Sequence, residues 1–310
     1  MQWLIGRKSI SFLGIFGHRR HEPMSARNNK HLKTADRYLT HIPAFSIMIY
    51  LWLPALLIAW WWLGSENSST FFLPSLSDSL SRLMTDLSNG TLVSDALFSL
   101  SNVFMGLMLA IILGVGTGLL IGYNPTIRGA VWPLVSFLRA IPGVAIVPIV
   151  IVAFGVGHGP QIFLIASTCV WPILLNTVSG VRGIRESIID TARAYRIPRS
   201  VYVRHVLFNA AMPQIMAGIR ISLSVSLTIM VVSEFSSGNQ GLGNYILRGA
   251  ESFDMPQVWA GTIFIGMIGY LVNVAFVNIE HHVLAWLFEI SPRARTTPEK
   301  RVLPLQKRKA

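Results

Sequence analysis

Six apolar runs, each close to the length a helix needs to cross a lipid bilayer, dominate this chain, and the loops between them are alternately rich in and nearly empty of basic residues. A crossing helix takes about 20 mainly apolar residues. The runs lie at 42–64, 97–122, 131–154, 160–180, 208–235 and 258–285. Within the third, Arg139, Pro142 and Pro148 interrupt the pattern, which puts its membrane part at 141–154. On that reading Arg139 lies near the inner face and snorkels to phosphate headgroups. Trp60, Trp61 and Trp62 close the first run as an interfacial anchor.

Orientation follows from the basic residues. Segment 1–41 carries Arg7, Lys8, Arg19, Arg20, Arg27, Lys30, Lys33 and Arg37. The loop after the fourth run carries Arg182, Arg185, Arg193, Arg196, Arg199 and Arg204, and 291–310 adds Arg293, Arg295, Lys300, Arg301, Lys307, Arg308 and Lys309. The loops after the first and fifth runs contain only Arg82 and Arg248. Positive loops stay cytoplasmic, so both ends are expected inside. The chain divides into a basic tail at 1–41, a transmembrane domain at 42–290 and a second basic tail at 291–310. The short run at 10–16 lacks a small-residue cleavage site and is not read as a signal peptide, and Met24 is an alternative start.

Composition narrows the function classes. Only 13% of residues are charged and 52% are hydrophobic, too little charge for a water-exposed surface. The net charge of +12 gathers in the loops, as the bilayer demands, so nucleic-acid binding is the weaker reading. Cys169 stands alone, which excludes an intrachain disulfide and a cysteine-based zinc site. No phosphate-cradling Gly-x4-Gly-Lys-Ser/Thr loop occurs, and the Gly-rich stretch 238–243 lacks the dinucleotide spacing and is read as a turn. Glu280, His281 and His282 are adjacent rather than helically spaced, so no metal site is assigned. No cluster of His, Asp or Glu at one depth suggests an enzyme.

Several local patterns are informative. Leu76, Leu80, Leu83 and Leu87 recur at helical spacing between Pro74 and Asn89-Gly90, predicting a short amphipathic helix. Gly114, Gly118 and Gly122 recur every four residues, which allows a close helix approach within the chain or between copies. Arg220, about a dozen residues into the fifth run, either lines a path for an anion or pairs with a carboxylate, and Glu234 lies towards the outer end of that run. Between the fourth and fifth runs, at 181–208, Ile184, Ile188, Ile189, Ala192 and Tyr195 keep helical spacing until Pro198 breaks it. A second helical run begins near Ser200. Such an elbow offers an amphipathic face to a soluble partner or to anionic lipid.

At this elbow the chain resembles the permease subunits of ATP-binding-cassette importers, in particular the nitrate, sulfonate and taurine group. The matching stretch is Asp190-Thr191-Ala192-Arg193-Ala194-Tyr195-Arg196, continuing through Asn209-Ala210-Ala211-Met212-Pro213. Further matches are Leu73-Pro74-Ser75, Ser99-Leu100 with Gly106, Arg139-Ala140-Ile141-Pro142-Gly143 and Phe154-Gly155-Val156-Gly157. Gly218-Ile219-Arg220, Ser233-Glu234-Phe235 and Gly241-Leu242-Gly243 complete the series, so the resemblance runs from about 72 to 289. Arg196 stands where the family has Gly, Asn209 where it has Pro and Asn102 where it has Arg, so Ile197-Pro198 is expected to set the bend instead, with altered elbow geometry.

The resemblance implies an all-α polytopic membrane protein, a type I importer bundle of about six helices in a bacterial inner membrane. It implies a permease dimer, ATP-binding subunits docked at Asp190, Thr191, Ala192, Arg193, Tyr195 and Arg196, and a periplasmic substrate-binding protein. ATP would be held by those subunits and no cofactor by this chain, which is then not itself an enzyme. Arg220 and Glu234 become candidates for the pathway. The implied solute is a small anion such as nitrate, a sulfonate or taurine. A neutral or thiamine-precursor-like solute, or an ion-coupled secondary transporter, stays open as the alternative.

Overall fold

The computed structural model describes residues 44–66, 72–237 and 240–285, and these are almost wholly helical. The unit ending at Leu63 contributes most of one apolar helix, α1 (Ala44–Glu66), whose 23 residues span about 34 Å. The tails at 1–41 and 291–310 lie outside the described residues, as do Gly238 and Asn239 of the Gly-rich stretch.

The second unit holds the bundle. It begins with α2 (Leu76–Ser88), the amphipathic helix expected from the leucine spacing. Ser75 caps it, its Oγ accepting from the Asp78 N–H at 3.0 Å. Leu76 and Leu83 are buried, whereas Leu80 is exposed. Helix α3 (Thr91–Tyr123) crosses the bundle, and Asn124 turns the chain by accepting from the N–H groups of Thr126 and Ile127. Pro125 then occupies the first turn of α4 (Pro125–Leu138).

The third apolar run is broken rather than shortened. A single 3-10 turn, Gly143–Ile146, leads into α5 (Val147–Phe154), and the two halves meet at 74°. They return antiparallel to α6 (His158–Arg182): Val135 shares a cluster with Leu174 and Val178, and Val147 and Val150 share one with Leu164. The elbow follows as α7 (Glu186–Ala194) and α8 (Arg199–Val201). A π-helical stretch, Tyr202–Leu207, joins α8 to the long α9 (Phe208–Ser237). Two further helices, α10 (Leu242–Glu251) and α11 (Met255–Val283), complete the described chain. Four helices of this unit are long and apolar enough to cross a membrane, and the bent pair makes five, with α1 as a further apolar helix.

Helix α6 is the axis of the core. Against α3 it runs parallel, and a Cβ added at Gly106, Gly114, Gly118 or Gly122 would lie 2.6–2.9 Å from the Cβ of Ile165, Ile173, Thr177 or Val181 respectively. Each pair is separated by the same 59 residues that separate Asn102 from Gln161, so the two i±4 rows interlock in register. The glycine stripe is thus used within the chain. On its other side α6 meets α9 antiparallel, with Gly180 against Gln214 and Gly218 against Asn176. Ser222 Oγ donates to the Cys169 carbonyl at 2.9 Å, and Cys169 is a buried packing residue there.

Candidate functional site

The elbow is the exposed end of the bundle. Helix α7 is nine residues long, with Ala192 buried and Ile188 and Ile189 half-buried towards the bundle. Asp190, Thr191, Arg193, Tyr195 and Arg196 remain exposed, Tyr195 by 79%. Asp190 and Arg193 form an open ion pair at 3.4 Å, and Thr191 Oγ1 donates back to the Ser187 carbonyl at 2.7 Å. Of the six residues expected at a docking face, five are therefore presented to solvent and Ala192 anchors them.

The bend itself corrects the expectation for Ile197-Pro198. Arg196 takes φ = 50°, the left-handed conformation for which glycine is usual. Its N–H donates to the Arg193 carbonyl and the Ile197 N–H to the Ala192 carbonyl, each at 3.0 Å. This is the Schellman arrangement, which ends a helix with its last carbonyls satisfied. The turn geometry survives the loss of glycine, and Arg196 carries a strain of about 1–2 kcal/mol to do so. A groove of about 340 Å³ runs from the elbow to the end of α3, lined by Arg193, Arg196, Arg199, Tyr123 and Tyr202 among others.

At the opposite end the polar groups are closed on one another. Asp95 and Ser99 lie one turn apart on α3 and therefore share a face. The N-terminus of α10 meets that face: the N–H of Gly241 donates to Asp95 Oδ1 at 3.1 Å and that of Leu242 to Ser99 Oγ at 2.9 Å. The Gly243 N–H donates to Glu234 Oε2 at 2.8 Å, and Ser99 Oγ donates to Glu234 Oε1 at 2.7 Å. Arg248 holds the other oxygen of Asp95 at 3.0 Å. Gly241, at φ = 112°, is required here, since a Cβ would sit 2.4 Å from Glu234 Cδ. Beside it Tyr245 donates to Asp86 at 2.5 Å, and Arg82 bridges Asp86 and Asp254. Burial, with the Asp86 carboxylate alongside, pushes the Tyr245 phenol above its usual range and keeps it a donor.

Glu234 is therefore fully buried and caps α10 together with Ser99. Arg220 is half exposed and paired with Glu280, near the last turn of α11. Its partner thus sets it towards the elbow end of the bundle. His282 Nδ1 donates to the Asn278 carbonyl at 2.9 Å, so Glu280 and His282 serve separate contacts. Another polar cluster joins α3 to α6: His158 Nδ1 donates to Asn102 Oδ1 at 2.6 Å, and Asn102 Nδ2 donates to Gln161.

One site escaped the linear pattern. At the 74° break a cavity of about 400 Å³ opens between Arg139, Ile141, Pro142 and Gly143 on one side and Ser167, Thr168 and Trp171 of α6 on the other. Thr168 lies near the middle of α6, and Val225 from the middle of α9 completes the wall. Arg139 is consequently at mid-depth of the bundle, not at its inner end as the run boundaries suggested. A charge at that depth costs about 2.5–3.5 kcal/mol or more, and irregular backbone is tolerated there only against protein or a wet cavity. The signal available in sequence was the Arg-Ala-Ile-Pro-Gly stretch in mid-run.

Comparison with known proteins places these features in context. Residues 106–285 match the family described as binding-protein-dependent transport system inner membrane component. The taurine transport system permease protein TauC of Escherichia coli is 27% identical over 244 residues, covering 77% of this chain and 89% of that protein. The bicarbonate transport system permease protein CmpB of Synechococcus elongatus is 36% identical over 176 residues, or 56% of this chain and 63% of its own length. The nitrate import permease protein NrtB of Leptolyngbya laminosa is 29% identical, covering 78% and 86%. Among solved structures, an inward-facing form of the MetNI methionine ABC transporter shares the fold, with a TM-score of 0.56 at 19% identity over 64% of this chain and 98% of that one.

Proposed function

The chain belongs to the binding-protein-dependent transport system inner membrane component family, and on that premise we propose that it forms half the pathway of an importer whose solute is a small oxyanion. It is a multi-pass inner-membrane permease subunit. ATP would be hydrolysed by separate subunits that dock on the elbow, a substrate-binding protein would deliver solute at the opposite end, and a second copy of this chain would close the pathway. The elbow end then faces the cytoplasm, in line with the basic residues of 181–208.

The observation that carries this reading is the elbow. A nine-residue amphipathic helix and the Tyr195 that ends it present Asp190, Arg193 and Tyr195 outward while Ala192 ties the helix to the bundle. A partner that grips the exposed face moves the bundle as a rigid body, and alternating access follows if the bundle has two states that the partner shifts. The solute class rests on the relatives: taurine, bicarbonate and nitrate each present negatively charged oxygens.

The test uses the buried state of Cys169, which leaves a cysteine introduced at Tyr195 as the accessible thiol among the described residues. Tyr195→Cys in the co-expressed complex is expected to cross-link to an ATP-binding subunit in an ATP-dependent manner. No cross-link, together with ATP hydrolysis indifferent to this chain, would refute the docking. ATP-dependent uptake of nitrate, bicarbonate or taurine into proteoliposomes tests the solute class separately, and uptake of a neutral solute alone would overturn it.

A further inference from the structure

The broken pass holds two donors with nothing to receive them. Arg139 and Trp171 both line the cavity at the break, and no carboxylate does. Neither side chain has a hydrogen-bond or ion-pair partner among the described residues. Ser167 Oγ and Thr168 Oγ1 do not supply further donors, because each already donates to the Leu164 carbonyl, at 3.0 and 2.9 Å. The lining therefore brings a guanidinium and an indole with their donors unused, two hydroxyls whose hydrogens are already spent, and otherwise apolar side chains. A ligand that completes it must bring negative charge and acceptor oxygens.

We propose that this cavity is where the passing anion is held, with Arg139 as its charge partner and the Trp171 N–H as a second donor. The proposal deepens the oxyanion-importer reading and rests on it. Three features make the site a built one. The break lets the backbone leave helical geometry at mid-depth, which the bilayer allows only beside protein or a wet cavity. Gly143 sets the width: a Cβ there would meet Thr168 Oγ1 at 2.4 Å, so only glycine lets the break approach α6 this closely. Lastly, the walls come from three separate segments, the break, α6 and α9 at Val225, so relative motion of these segments would open the site to one face or the other. Secondary transporters also place solute sites at broken helices near the bilayer midplane, where unwound backbone lines a cavity. Arg220 and Glu234 do not share this position, since one is paired with Glu280 and the other caps α10.

The experiment reconstitutes the whole transporter, with its ATP-binding subunits and binding protein, and measures ATP-dependent uptake of labelled nitrate, bicarbonate and taurine. Arg139→Gln is expected to lower uptake by roughly ten-fold or more while binding-protein-stimulated ATP hydrolysis stays within about twofold. Arg139→Lys should recover part of the uptake, and Trp171→Phe should raise the KM for solute with less change in maximal rate. Uptake by Arg139→Gln within about twofold of the parent overturns the site and leaves the oxyanion reading standing. If the parent carries none of the three anions, that reading fails and the cavity is judged by labelling. Ser167→Cys, in a Cys169→Ala background, is modified with a charged thiol reagent in the presence of each anion. Slower modification with at least one anion, abolished by Arg139→Gln, supports the site. Equal rates throughout overturn it.

Discussion

The two ends of the bundle are built on opposite plans. At the α10 end, Asp86, Asp95, Ser99 and Glu234 are buried, and each accepts or donates within a closed set of partners. At the elbow end the ion pair is exposed, the turn residue is strained and Tyr195 stands in solvent. A buried polar network specifies one arrangement, because every member left alone costs its full desolvation. An exposed, strained elbow specifies little by itself and has surface left for a partner. The difference suits the proposed docking, in which the closed network keeps one end fixed and a partner grips the other.

That contrast implies a graded series of effects. Glu234→Ala should be the most damaging, since it strands the Gly243 N–H and the Ser99 hydroxyl in the interior at about 2–4 kcal/mol together. A lowered unfolding temperature of the purified subunit would register it, and an unchanged temperature would remove the cap from the account. Gly241→Ala comes next, at about 2–3 kcal/mol from backbone strain and the contact with Glu234. Combined with Glu234→Ala it should cost less than the sum, because the clashing carboxylate is gone. Asp95→Asn weakens the hold on Arg248 and is expected to raise hydrogen exchange across 242–251 by the equivalent of about 1–2 kcal/mol.

Effects at the elbow should be smaller, and one of them opposite in sign. Arg196→Gly relieves the left-handed strain and should slow exchange in α7, a gain of up to about 1 kcal/mol. Faster exchange instead would mean that the arginine side chain, not the turn, holds the elbow. Asp190→Ala should change stability by no more than about 0.5 kcal/mol, because both partners of its ion pair are mostly exposed. A loss of ATP-binding subunit in pull-downs without loss of stability would separate docking from folding.

The long-range pairings explain how unevenly the site was legible. The elbow residues lie within one contiguous stretch, so spacing placed the helix and the resemblance marked its docking residues. Tyr195, on the apolar row by spacing, stands in solvent because it lies past the helix end. The α10 cap draws on Ser99, Glu234 and Gly243, and Ser99 is 135 residues from Glu234 in sequence. The resemblance motifs around Ser99, Glu234 and Gly241 had marked these places without giving a reason for them. The structure supplies it: they are one hydrogen-bonded cap.

Apolar length, the alternation of basic and neutral loops, helical periodicity at 76–88 and 186–194 and the glycine rows are properties of the chain read in one dimension. Each is a local energetic demand, and the helices at 76–88 and 186–194 and the glycine rows follow it in the bundle. The depth of Arg139, the partner of Arg220, the cap made by Glu234 and the left-handed Arg196 depend on which distant segments pack together or on how a turn closes in space. Hydropathy averages over a run and cannot see a 74° break inside it. Packing against α6 is what turns that break from a short span into a cavity with Arg139 in its lining.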